Sequence, residues 1–111
     1  MRRFLVFALL LAAPIPEAEA KDIELAKGYA LAFATATFAS GHCAGMDVNE
    51  NGLLVLKNVA GLSDGDDAWL AREINHAKPA IEKAFYNEGA EVWCNKAWTL
   101  FGPESIGILQ K

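Results

Sequence analysis

The sequence predicts an all-α protein: a compact bundle of four to five short helices held by one disulfide. Three observations carry this. Apolar residues recur at three- and four-residue intervals along most of the chain, and strand-like alternation is nearly absent. The two cysteines, Cys43 and Cys94, are far apart in a short chain of 111 residues. The N-terminus has the order of an export signal, which would put those cysteines in an oxidising compartment.

Residues 1–20 read as a cleaved secretory signal peptide. Arg2 and Arg3 form a basic start, Phe4 to Ala13 an apolar run, and Ala18-Glu19-Ala20 a small-x-small cleavage site after Pro14 and Pro16. The apolar run is about ten residues, against the roughly twenty a membrane span needs, so no stable membrane anchor is expected. Residues 21–111 then form a single small helical domain, starting at Lys21. A domain this small buries a modest fraction of its surface and gains from a staple. With two cysteines one intramolecular pairing is available, Cys43–Cys94. It would close a loop of about fifty residues, worth roughly 4 kcal/mol on a chain-entropy argument.

The first helix is expected from Asp22 to Phe38. Leu25, Tyr29 and Phe33 fall on one face with Ala32 and Ala36, and Leu31, Ala34 and Phe38 form a second apolar face. A helix apolar on most sides reads as a central core helix, the second face being a docking surface in the sharper reading. Ser40-Gly41 is the expected stop, which leaves Cys43 in a loop. A second helix is expected from Asn51 to Leu62, burying Leu53, Leu54 and Leu56 and ending near Gly61. Asp66 or Asp67 can cap a third helix, from Asp67 to about Tyr86. There Leu70, Ile74, Ala77 and Ile81 hold the helical period, and Pro79 predicts a kink or a break near His76–Pro79. Asn87-Glu88-Gly89 reads as a turn. The last helix, closed by Gly102-Pro103, carries Trp93, Cys94, Ala97, Trp98 and Phe101 on one broad stripe. Ile106, Ile108 and Leu109 are too apolar for a free tail, which is expected to lie back over the bundle.

One stretch resembles a cation loop. Asp47-Val48-Asn49-Glu50-Asn51-Gly52 has the D-x-N-x-N-G spacing of the first half of an EF-hand, which makes Asp47, Asn49 and Asn51 candidate ligands. The twelfth position, Asn58, cannot supply the bidentate carboxylate, and the ninth is Val55. The competing reading has Asn49 or Asn51 capping the next helix.

No other residue set points to chemistry. His42, His76 and the cysteines lack a zinc spacing. Cys43 with His76 as nucleophile and base is set aside because a cysteine pair in an exported protein reads as a bridge. Gly61-Leu62-Ser63-Asp64-Gly65 lacks the lysine of a phosphate loop. The net charge is −4 and there is no block of Lys or Arg, which excludes a nucleic-acid footprint and disfavours an anionic membrane surface. The expectation is therefore a non-enzyme without cofactors. It would be a periplasmic or secreted protein that binds another exported protein, as an inhibitor, immunity-type protein or accessory subunit. Aromatic side chains are enriched at interface cores, which makes Trp98 a candidate contact. The competing reading has Trp93 and Trp98 packing around the Cys43–Cys94 bridge, with the binding surface elsewhere or at the stripe's edge. The oligomeric state is left open.

The gross layout is similar to that of the small acid-stress chaperones of the periplasm: a cleaved signal, a helical domain of this size and one disulfide spanning most of it. That resemblance implies an alternative function as a periplasmic acid or stress chaperone. The residues around Cys43 and Cys94 depart from that family, and a turn follows Cys43, so no residue role is carried over. A third reading is a weak cation or small-molecule binder built on Asp47, Asn49 and Asn51.

Overall fold

The computed structural model describes residues 23–111, so the expected signal segment lies outside the described residues. Four helices dominate the described residues: α1 (Ile23–His42), α2 (Glu50–Val59), α3 (Asp67–Glu88) and α4 (Ala90–Phe101). A 3-10 turn at Asp64–Asp66 leads into α3. Two two-residue strands, β1 (Asp47–Val48) and β2 (Leu109–Gln110), pair antiparallel, with Asp47 opposite Gln110 and Val48 opposite Leu109. The all-α class and the Cys43–Cys94 disulfide are as the sequence predicts.

Helix α1 is the centre. Ala26, Ala30, Ala32, Ala34, Ala36 and Ala39 are all buried on it. Side chains this small allow other elements to pack closely on several sides of one helix, and Ala costs nothing in helix propensity. The helix passes the expected stop at Gly41 and ends at His42. The Cys43 N–H still donates to the Ala39 carbonyl at 2.8 Å, which continues the helical pattern. The His42 ring stacks on Phe38 at 3.8 Å, one turn back. The left-handed glycine of this turn is Gly45, with φ 76°. Gly41 therefore costs the helix some stability without ending it.

Helix α2 starts earlier and stops sooner than its apolar pattern suggests. Asn49 is its N-cap, the side-chain oxygen accepting from the Gly52 N–H at 3.3 Å. The end is a Schellman motif. Gly61, at φ 76°, donates to Asn58, and Leu62 donates to Lys57. Leu53 is buried, but Leu54, Val55 and Val59 are 56%, 62% and 63% exposed. The expectation that Leu54 enters the core is thus corrected. Leu53 and the half-buried Leu56 already fill the face turned to α1.

Before α3, Asp66 reaches back rather than forward. Its Oδ2 accepts from the Ser63 N–H at 2.8 Å and from the Ser63 hydroxyl at 3.2 Å, a capping box around the 3-10 turn. Helix α3 is one uninterrupted element with Pro79 inside it. The ring removes the donor to the Asn75 carbonyl. Asn75 and Pro79 are both exposed, so water can serve that carbonyl. Of the two outcomes expected near His76–Pro79, a kink or a break, the break does not occur. Asn87 and Glu88 are helical as well, and the turn to α4 is the single residue Gly89, at φ 92°.

The tail closes the far side. After Gly102 the chain turns, and Ile108 and Leu109 become fully buried. The Asn49 N–H donates to the Ile108 carbonyl at 2.8 Å, and Asn49 Nδ2 donates to the Gly107 carbonyl at 2.9 Å. Gly52 lies so close that a Cβ there would collide with the Gly107 carbonyl oxygen.

Candidate functional site

An apolar groove of about 340 Å³ opens between α1, α3 and α4. Short side chains make up part of its lining: Ala80 and Ala84 from α3, Ala97 from α4 and Thr35 from α1. The buried Ile81 and Trp93 and the half-buried Phe101 line it as well, and the exposed Leu31 of α1 and Leu100 of α4 border it. The groove exists because alanines stand where larger residues would close the space between three helices. Leu31 is 50% exposed and Leu100 is 59% exposed, although both border buried apolar neighbours. At one end Glu88 and Lys96 form an ion pair, Oε1 to Nζ 3.0 Å, across the Gly89 turn. Both carry considerable solvent exposure, and such a pair contributes at most about 1 kcal/mol. Its effect is to leave the groove mouth electrically balanced.

The sequence-predicted positions fall elsewhere. Cys43 and Cys94 are joined with Cα atoms 5.7 Å apart, so Cys43 has no thiol for a nucleophile. The bridge ties the end of α1 to the middle of α4. Trp93 is buried and sits in an aromatic cluster, its ring 5.3 Å from Phe38 and 5.6 Å from Phe85, both edge-on. Such pairs contribute about 0.5–1.5 kcal/mol each beyond area burial. Trp98 is half-buried on the side of α4 away from Leu100, and the Lys111 ammonium lies 4.8 Å from its ring centre. The tryptophan singled out as a contact is thus half-buried beside the chain's own C-terminus and outside the groove, whose exposed apolar residues include Leu31 and Leu100.

Asp47, Asn49 and Asn51 are not arranged as a calcium loop, because α2 begins at Glu50. Asp47 is in β1, where its Oδ1 accepts from the Val48 N–H at 2.9 Å. Asn49 uses its carbonyl oxygen for the helix cap and its amide for Gly107. Asn51 stands in the first turn of α2. Among the described residues no group of three or more His, Cys, Asp or Glu side chains could hold a metal ion.

Part of the groove had a signal in the sequence. Leu31 lies on the second apolar face of α1, the face a docking surface would use. Leu100 gave no signal, because it sits beside a stripe of larger residues on α4. Glu88 and Lys96 could not be paired while Glu88 was read as part of a turn. The disulfide is compatible with an oxidising extracellular compartment. Among the described residues no helix is long and apolar enough to cross a membrane. No family model, no curated protein and no solved structure matches this chain.

Proposed function

We propose that this is a small exported, non-catalytic protein that acts by binding a protein partner through the groove between α1, α3 and α4. The observation that supports this reading is the pair of half-exposed leucines, Leu31 and Leu100, bordering an apolar groove lined in part by alanines. An apolar side chain left in water at a concave site is stabilised when a partner covers it, at about 25 cal/mol per Å² of apolar surface removed. A helix or loop of the partner bearing one or two large apolar anchors suits an apolar groove of about 340 Å³. The groove mouth carries one charge of each sign, Glu88 and Lys96, so the partner is chosen by apolar shape more than by net charge.

The test is site-specific photocrosslinking in the exporting cell. A photoreactive residue at Leu100 is expected to give one discrete adduct with an exported protein. The same residue at Tyr86, which is exposed on α3 away from the groove, is expected to give none. Leu31→Asp is expected to abolish the Leu100 adduct while leaving the thermal unfolding midpoint nearly unchanged. Equal adducts from both positions, or an adduct indifferent to Leu31→Asp, would sink the reading.

A further inference from the structure

A second open apolar surface lies on the opposite side of α1. At about 100° per residue, Leu31 and Thr35 point away from Tyr29 and Phe33, and the latter pair lines a groove of about 380 Å³ between α1 and α2. Its α2 wall carries Glu50, Leu53, Leu54 and Lys57. Leu54 is 56% exposed there.

The charges on this wall are arranged in a particular way. Glu50 and Lys57 are seven residues apart, so they lie on the same side of α2 about 10 Å from each other. Leu54 stands between them. When two such helices run antiparallel about a two-fold axis near residues 53 and 54, each glutamate faces the other helix's lysine. The surface is thus complementary to itself, which is the condition for an isologous contact. The Lys57 ammonium lies 3.8 Å from Asp67 of its own chain, and its three donors leave capacity for a second carboxylate.

We propose that two copies of the chain associate through this face, each placing Leu54 in the other's α1/α2 groove and pairing Glu50 with the partner's Lys57. The proposal is independent of the groove between α1, α3 and α4, which this dimer leaves open. A two-fold contact closes on itself. It covers Leu54 without leaving a free copy of the same surface.

Sedimentation equilibrium of the purified, oxidised domain over a micromolar to millimolar series tests it. A monomer–dimer equilibrium is expected. Leu54→Asp is expected to give monomer throughout. Glu50→Lys alone and Lys57→Glu alone each oppose like charges and are expected to weaken association by about tenfold or more. The double variant Glu50→Lys/Lys57→Glu restores both cross-pairs, and its dissociation constant is expected to return close to wild type. Circular dichroism and the thermal midpoint report whether each variant is folded. A wild-type monomer at every concentration overturns the proposal, as does a dimer that ignores Leu54→Asp. A dimer that responds to Leu54→Asp but is not restored by the double reversal overturns the antiparallel pairing.

Discussion

Tyr29 combines packing and titration in one side chain. It is 5% exposed, on the α1 face turned toward α2, with Phe33 one turn further along at a ring separation of 6.1 Å. Burial raises its hydroxyl above the ordinary 10.0, and the nearby Asp67 carboxylate adds to the shift. The sign of the consequence follows from proton uptake. Below pH 10 the phenol is neutral in both folded and unfolded chains, and the stabilisation is fully present. Above pH 10 the unfolded chain releases the proton first, so stability falls as pH rises toward the folded-state value. Urea midpoints measured between pH 8 and pH 11 are expected to fall more steeply for wild type than for Tyr29→Phe. Asp67→Asn is expected to flatten the fall in part, since it removes the smaller of the two causes. Equal slopes for wild type and Tyr29→Phe would mean that the hydroxyl is not held neutral by the fold.

At the scale of elements, Pro79 separates local propensity from tertiary context. In a helix interior Pro is disfavoured relative to Ala by about 3 kcal/mol. Helix α3 nevertheless runs unbroken from Asp67 to Glu88. Leu70, Ile81 and Phe85 are buried on both sides of Pro79, and their contacts hold the two halves in register. Pro79→Ala restores a donor for the Asn75 carbonyl but gives the unfolded chain more freedom, an offset of about 1 kcal/mol. The expected net is a gain of about 1–2 kcal/mol, read as a higher urea midpoint at unchanged slope. A loss of stability would show that the proline ring makes contacts its exposure does not suggest.

The same element-level competition explains what could be read in advance. Helices with a clean apolar period were legible: α4 falls where its stripe places it, and α2 and α3 lie within a few residues of theirs. The disulfide was legible because two cysteines allow one internal pairing. Termini were less so, because a local stop such as Gly41 yields when Phe38 and His42 stack across the last turn. The β1–β2 pair gave no pattern at all. It is two residues long on each side and is fixed by contacts between residues far apart in sequence, Asn49 with Gly107 and Ile108. The groove was legible only in part. Its exposed border depends on which of several apolar faces the fold leaves uncovered, and the period of a helix does not say which.

At the scale of the whole molecule, stability should depend strongly on one covalent link. The Cys43–Cys94 bridge spans 51 positions. Closing a loop of that size removes about 4 kcal/mol of unfolded-state freedom, a large share of the 5–15 kcal/mol typical of a domain. Without the bridge, α1 and α4 still meet through the Phe38 and Trp93 rings, and α3 joins them through Phe85. Those contacts are worth about 0.5–1.5 kcal/mol per pair beyond the area they bury, enough to keep the helices associated but not to replace the link. The reduced protein is therefore expected to remain helical but to unfold at a much lower urea concentration, with a loss of about 4 kcal/mol. Cys43→Ala/Cys94→Ala should behave like the reduced wild type, which separates loss of the link from the chemistry of free thiols. Reduction itself should be slow under native conditions. Cys43 is 5% exposed, so a reductant must wait for the end of α1 to open or attack from the half-buried Cys94 side. Adding denaturant below the unfolding midpoint should speed the reaction in step with that opening. A urea midpoint that does not move on full reduction would place the stability of this fold in its alanine-lined helix contacts instead.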